Sequence, residues 1–481
     1  MKIILYVLDS LRFDHVSYNG YHRETTPNID RLAADGIIFD RCYTPSTWTR
    51  PVAASMLSGT YPGVHGVQST KDIFTASVPR LPALLKEAGF NTACVSAIGN
   101  FSTKMGFGEG FEFFCDLYKE PNLMQSRVKT TGAVEGLGDN DDIVFPYAED
   151  INTYFLPWLK SHMKDDVFAM LWSIQPHAPY EPPKKFQKFV STSYDGRFLG
   201  KRDMVRRVRS KQDTQYLIDL YDSEIYYNDR MIGEIINFLK EQGDYDKTLL
   251  IIVSDHGDAF GEHNLYAHGH LPYDVVMQVP MVIKLPDNTY KGTKISQLVS
   301  LLDIMPTLLA YTGIDYPADV MPILMGENLL PVLEDPEAHV HDYVFCETLY
   351  SDTKPVFYGV TNDEWKYMKM CPPKFGKRNI KDLWNRLIHE RIIFSILRNP
   401  MWLLKRYGRM KGEMLFNKHN DPAEHENVMG QHQKALTTMQ DQLESWREEC
   451  QKIAAKFVSG YESRDIDETM RKHLQALGYL D

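Results

Sequence analysis

The chain has 481 residues, 43% of them apolar, 24% charged and 12% aromatic, a globular profile with material for more than one core, which excludes a wholly disordered or collagen-like chain. Lys and Arg number 53 against 64 Asp and Glu, a net charge of −11, so a protein that coats nucleic acid is excluded and no nucleic-acid partner is expected. No apolar run approaches the ~18 residues that a membrane-spanning helix needs.

The opening MKIILYVLD reads as a buried strand over 3–9. Its apolar run is short and no small-residue cleavage site follows, which gives the expectation of no signal peptide and a cytoplasmic location. Residues 26–36 form a helix with a Thr-Pro start and a Gly stop. A helix is expected over 81–89, strands over 92–98 and 166–174, and a long helix over 214–242. The methionine and aromatic residues of 166–174 read as core. The strand 248–254 runs into Asp255-His256-Gly257, and a further strand covers 279–285. This alternation predicts an α/β fold with a mainly parallel central sheet between helices. In such sheets the chemistry sits at the carboxyl ends of the strands. Past residue 330 the pattern changes. Residues 342–370 and 412–417 alternate like antiparallel strands, and 432–457 form a helix. The expected division is a catalytic domain over 1–330 and a smaller α+β domain over 331–481, interrupted by a basic insert at 371–411.

The six cysteines, Cys42, Cys94, Cys115, Cys346, Cys371 and Cys450, show no CxxC spacing. A zinc ribbon or a disulfide framework is therefore not expected. Charge is unevenly spread: residues 184–211 carry a net +8 and residues 374–411 a net +9 on an otherwise acidic body. The first segment follows His177 closely and is expected to rim the site and attract an anionic substrate. In the second, Ile380, Leu383, Trp384, Leu387, Ile388, Ile392 and Ile396 recur at helical spacing among basic residues. Three readings fit that pattern: a helix packed on the domain, a helix lying peripherally on an anionic membrane surface, or a contact with nucleic acid or a second copy. The sequence gives no oligomeric state.

Asp9 and Asp255 both lie just past apolar strands, so two carboxylates from distant parts of the chain reach one rim. With His256 they are ligand types for a divalent ion. An Asp-His pair alone also fits a capped turn.

Five segments in order carry a resemblance. LDSLRFDHVSYNGYHRETTPNIDRLAADGIIFD, RCYTPSTWTRPVAASMLSGTYPGVHGV, SIQPHAPYEPP, SDHGDAFGEHNLYAHGH and the pair EMLFNKHNDPAEHENV with LQALGYLD resemble motifs of the sulfatase branch of the alkaline-phosphatase superfamily. The resemblance implies an alkaline-phosphatase-like fold and a hydrolase of anionic esters. It implies one divalent ion (calcium, manganese, zinc or magnesium) held by Asp9, Thr49, Asp255 and His256. The departures bear on mechanism. The nucleophile cysteine of the family's CxPxR motif falls on Thr49 and its arginine on Ala53; Cys42 lies outside the motif. The usual second aspartate is Ser10, and two family lysines fall on Asn100 and His268. Threonine cannot become formylglycine, and a group carried on it leaves only by a second attack at the central atom. Phosphoryl enzymes do this routinely, and the pattern is similar to phosphodiesterases and phosphoethanolamine transferases of the superfamily. The expected activity is therefore phosphodiester hydrolysis or phosphoryl transfer on a small-molecule, glycan-linked or lipid-linked ester. The alternative is a sulfuric ester hydrolase working without formylglycine. In this reading Thr49 is the nucleophile, His177 and His268 bind the transferred group or protonate the leaving oxygen, and Asn100 donates a hydrogen bond to it. Each has a structural alternative: a helix N-cap for Thr49, backbone-bonded loop positions for the histidines, a turn for Asn100. Arg50, His65 and His270 read as bystanders.

Overall fold

The computed structural model describes all residues except 76–77, 121–144, 197–209, 270, 317–322, 351–354, 373–411 and, apart from Met470 and Leu474, 457–481. The elements in chain order are β1 (Lys2–Leu8), α1 (Pro27–Asp35), β2 (Ile37–Tyr43), α2 (Thr49–Ser58), α3 (Leu81–Glu87), β3 (Asn91–Ser96), β4 (Phe113–Asp116), α4 (Ala148–Ser161), β5 (Val167–Ser173), α5 (Lys211–Glu241), β6 (Thr248–Ser254), β7 (Gln278–Lys284), β8 (Thr293–Ile295), β9 (Val299–Ser300), α6 (Ile304–Thr312), β10 (Val344–Thr348), β11 (Val356–Thr361), β12 (Trp365–Cys371), β13 (Glu413–Asn417) and α7 (Gln433–Ala454). Several shorter helical turns and a two-residue ribbon complete the described chain.

The main sheet has nine strands in the order β8-β2-β7-β6-β1-β5-β3-β4, with β9 also on β2. β7 runs antiparallel to both neighbours, and the remaining pairs are parallel. β1, β5 and β6 are buried along their whole length. Central parallel strands covered on both faces need such unbroken apolar runs. Their register aligns Leu8 with Ser173 on one side and Ser254 on the other, so the residues just beyond these strands emerge at one level.

The 31-residue α5 starts at a capping box in which Ser210 Oγ accepts from Asp213 N–H. It fastens the rim from behind. Tyr221 OH donates to the Ser10 carbonyl at 2.7 Å, and Asn228 Nδ2 donates to Ser173 Oγ and the Gln175 carbonyl at 2.9 and 2.7 Å.

The second sheet is an antiparallel meander, β10-β11-β12-β13, with α7 against it. Trp446 of α7 stacks on Phe345 at 4.9 Å and meets Tyr61 edge-on at 5.0 Å, joining helix, meander and the segment after α2. A buried ionic tetrad ties the two sheets. Lys366 Nζ on β12 lies 2.6 Å from Asp274 Oδ1 and 2.8 Å from Glu424 Oε1, and Lys418 Nζ lies 2.8 Å from Asp274 Oδ2. Among the described residues no helix is long and apolar enough to cross a membrane. Nearly all of the basic insert lies outside the described residues, as do residues 197–209 of the first basic segment.

Candidate active site

Asp9 leaves β1 with its N–H donated to the Ser173 carbonyl at 3.0 Å, which holds the chain in sheet-like register one residue beyond the strand. Ser10 then turns at φ 64°, and that left-handed turn brings its N–H to Asp255 Oδ1 at 3.0 Å and its hydroxyl to Asp9 Oδ1 at 3.1 Å. The residue standing where a second family aspartate is expected is thus the link between the two carboxylates. Asp255 follows β6; its Oδ1 also accepts the His256 N–H at 2.8 Å, and the Thr49 side chain hydrogen-bonds to its carboxylate. A Cβ on Gly257 would stand 2.2 Å from the Val275 carbonyl oxygen, so the chain passes there only as glycine.

Thr49 is the first residue of α2, with Trp48 at the N-cap position, so Thr49 is no cap. Its Oγ1 lies 3.3 Å from Asp9 Oδ2 and 3.3 Å from His256 Nε2. His256 Nε2 in turn lies 3.3 Å from Asp255 Oδ2 and 3.8 Å from Asp9 Oδ1. The other ring nitrogen, Nδ1, sits 3.1 Å from the Gly257 carbonyl. A proton on Nδ1 satisfies that carbonyl and leaves the Nε2 lone pair facing the carboxylates and the threonine, the arrangement a ligating histidine uses. Asp9, Thr49, Asp255 and His256 therefore meet as the sequence implied, and all four are 0% exposed.

Burial, and then the facing Asp255, push the Asp9 carboxyl well above its ordinary range. Burial pushes Asp255 up to about 7, against the lowering effect of the N–H donors of Ser10 and His256. Among the described residues neither carboxylate pairs with a lysine or arginine. Two buried carboxylates with no lysine or arginine partner among the described residues and an imidazole lone pair together fit a cation. Asp9, Asp255 and His256 would hold it, with the Thr49 oxygen in reach. An overlapping group, His256, Asp258 and His268, is also close enough for an ion, but Asp258 and His268 are already bonded to each other.

That pairing was not visible in the sequence. His268 Nδ1 lies 2.6 Å from Asp258 Oδ1, and Tyr180 OH donates to Asp258 Oδ2 at 2.8 Å. The His268 ring lies 4.3 Å from His256 and 4.9 Å from His177, centroid to centroid. His177 Nδ1 is 2.5 Å from the Ala178 carbonyl. The structure thus brings both histidines to the cluster. Two readings are corrected. Trp172, expected to be core alone, also donates Nε1–H to Asp9 Oδ2 at 3.3 Å. Arg50, expected to be a bystander, is buried and donates to Asn100 Oδ1 at 2.7 Å. His65 is structural as expected: Ser55 Oγ lies 3.0 Å from one ring nitrogen, the Val67 N–H donates to the other, and burial lowers its pKa to about 3. His270 lies outside the described residues. Cys42 is buried in β2 with Sγ 4.0 Å from Met281 Sδ, away from the nucleophile segment.

The loop entering α2 is fastened from both sides. The Gly269 N–H donates to the Thr47 carbonyl at 2.9 Å. Thr348, at the end of β10, accepts the Thr47 N–H at 3.1 Å, and its hydroxyl lies 3.0 Å from that of Thr47.

Comparison with known proteins bears on this arrangement. The family model described as Sulfatase matches residues 2–314. The chain belongs to the sulfatase family. A model described as N-sulphoglucosamine sulphohydrolase, C-terminal, matches residues 261–386. An arylsulfatase of Clostridium perfringens is 26% identical over 403 residues, covering 73% of this chain and 82% of its own. An N-acetylglucosamine-6-O-sulfatase of Bacteroides thetaiotaomicron is 23% identical over 406 residues, covering 69% and 71%. Among solved structures, the phosphonate monoester hydrolase of Agrobacterium radiobacter superposes with a TM-score of 0.68 at 20% identity, covering 95% of each chain. A protein solved with D-glucosamine-2-N,6-O-disulfate as its substrate gives 0.67 at 18% identity, covering 96% of this chain and 99% of that one. The fold is the alkaline-phosphatase-like one expected, and the protein is a hydrolase acting on ester bonds. The names of the relatives back the sulfuric-ester alternative better than the phosphoester preference drawn from Thr49.

Proposed function

We propose that this sulfatase-family hydrolase cleaves an anionic ester, of a sulfated glycan in the first reading, by transferring the sulfuryl group to Thr49 Oγ1 and then to water. The observation that carries the role of Thr49 is its hydroxyl 3.3 Å from both Asp9 Oδ2 and His256 Nε2 in a buried, anion-rich cluster. Asp9, Asp255 and His256 would hold a divalent ion, which would supply positive charge against the charge that builds on the transferred group. The chain's own residues do the rest. Asp9 Oδ2 accepts the Thr49 hydroxyl hydrogen and orients the oxygen. Asp258 holds the His268 ring, which stands beside His256 and His177 as the group able to hand a proton to the leaving oxygen.

The second reading is phosphoester hydrolysis, and the observation that favours it is the threonine itself. An adduct on a threonine side chain has no geminal hydroxyl through which to eliminate, so the second step is an attack at sulfur or phosphorus. The buried Ala53, standing in place of the motif arginine, removes a further element of the formylglycine site.

Steady-state turnover of paired aryl sulfate, aryl phosphodiester and aryl phosphomonoester substrates, with calcium, magnesium, manganese or zinc added singly, tests both readings. Dominant sulfate turnover lost in Thr49→Ala supports the first, and dominant phosphoester turnover lost in the same variant supports the second. Turnover of either kind unchanged in Thr49→Ala sinks the mechanism.

A further inference from the structure

Arg50 is 1% exposed on the first turn of α2, directly after Thr49. Its Nη1 donates to the Thr70 and Asp72 carbonyls, both at 2.9 Å, and its Nη2 donates to Asn100 Oδ1 at 2.7 Å. A guanidinium carries donors only. The contact therefore settles which way the Asn100 amide lies, with its oxygen on Arg50 and its NH2 on the far side. Asn100 is 0% exposed, and its Nδ2 has no acceptor among the described residues. Buried donors are nearly always paired, and one that is not calls for an explanation; an oxygen-rich ligand supplies one.

Asn100 is linked to the cluster through its neighbours. Arg50, which donates to it, follows Thr49 in the chain. Phe101, the residue after it, packs 4.6 Å from the ring of Trp172, which donates to Asp9. Asn100 also follows β3 on the carboxyl rim that carries Asp9 and Asp255.

We propose that Arg50 is a positioning residue that holds Asn100 Nδ2 as a hydrogen-bond donor to a non-bridging oxygen of the tetrahedral group transferred to Thr49. The inference rests on the reading of Thr49 given above.

A double-mutant cycle on the full chain tests it, using whichever aryl ester the wild type turns over. Asn100→Ala is expected to lower kcat/KM by on the order of a hundredfold, as loss of a donor to developing charge does. Arg50→Leu should lower it similarly, and the double variant should fall no further than Asn100→Ala. Inhibition by inorganic sulfate and phosphate should weaken in parallel in all three. Where Arg50→Leu does not fold, Arg50→Lys enters the cycle instead, since it keeps the charge but not the fork that spans three acceptors. Losses that multiply in the double variant, or an Arg50 variant with wild-type kcat/KM, overturn the proposal. Thr49→Ala, assayed alongside, separates the two failures: activity retained there removes the reading of Thr49 itself, whereas activity lost there with multiplying losses removes only the role of Arg50.

Discussion

Metal binding should grow stronger as pH rises through the mildly acidic range, for a reason that can be worked from Asp9 and Asp255. Burial raises the Asp255 carboxyl from its ordinary 3.8 to about 7, and Asp9 moves in the same direction. A carboxyl raised in the folded state keeps, between those two values, a proton that the unfolded chain has lost. Without a metal the contribution is therefore fully present below about pH 4 and is lost as pH rises to about 7. At about 1.4 kcal/mol per unit, Asp255 alone accounts for on the order of 4 kcal/mol. A divalent ion must displace that proton, so its apparent affinity should improve about tenfold per pH unit for each proton released, up to the raised value. Thermal unfolding in chelator and in excess metal, at steps from pH 5 to pH 8, measures this. The metal-induced rise in Tm should increase up to about pH 7 and level off, and Asp255→Asn should flatten it. A rise that stays constant or shrinks between pH 5 and pH 7 would refute the electrostatic account of the cluster.

Other perturbations have equally definite outcomes. Lys366→Met leaves Glu424 and one side of Asp274 buried without their shared cation, and should cost about 3–5 kcal/mol, read as a lower denaturation midpoint with β11 and β12 losing hydrogen-exchange protection first. Gly257→Ala pushes a methyl against the Val275 carbonyl and should displace His256. Metal content at fixed free metal should fall, while the far-UV spectrum stays that of the wild type. The membrane reading of 374–411 predicts sedimentation with anionic vesicles that weakens with salt and with Trp384→Glu; equal pelleting of variant and wild type would end it.

The parts of the fold legible in sequence were those where one force dominates. β1 and β6 are unbroken apolar runs ending in an acid, so both the strands and the rim carboxylates could be read. β2 was missed because its pattern, IIFDRCY, is interrupted by Asp40 and Arg41 at a register shift against β7. α4 was missed because it contains Pro157, which its helical periodicity overrides. In the site, the types and order of the metal-ligating residues were legible, since ligand chemistry restricts them to a few side chains. Asp258, Tyr180 and Trp172 were not, because an acid two residues beyond a histidine, a tyrosine after a proline and a tryptophan inside a strand each have ordinary explanations. Only the three-dimensional path of the chain turns them toward His268 and Asp9. Arg50 reads as a bystander in sequence, since nothing in the chain alone reveals its contact with Asn100, fifty residues on.

The hydroxyl of Thr348 comes from the smaller sheet yet grips Thr47, two residues ahead of the proposed nucleophile. A polypeptide shortened at the division expected near residue 330 would keep every strand of the nine-stranded sheet and still have lost a fastening of its reactive loop. Correct secondary structure in such a fragment would be no evidence of competence. The meander is thus part of what holds the reactive loop in place, not only an appended module.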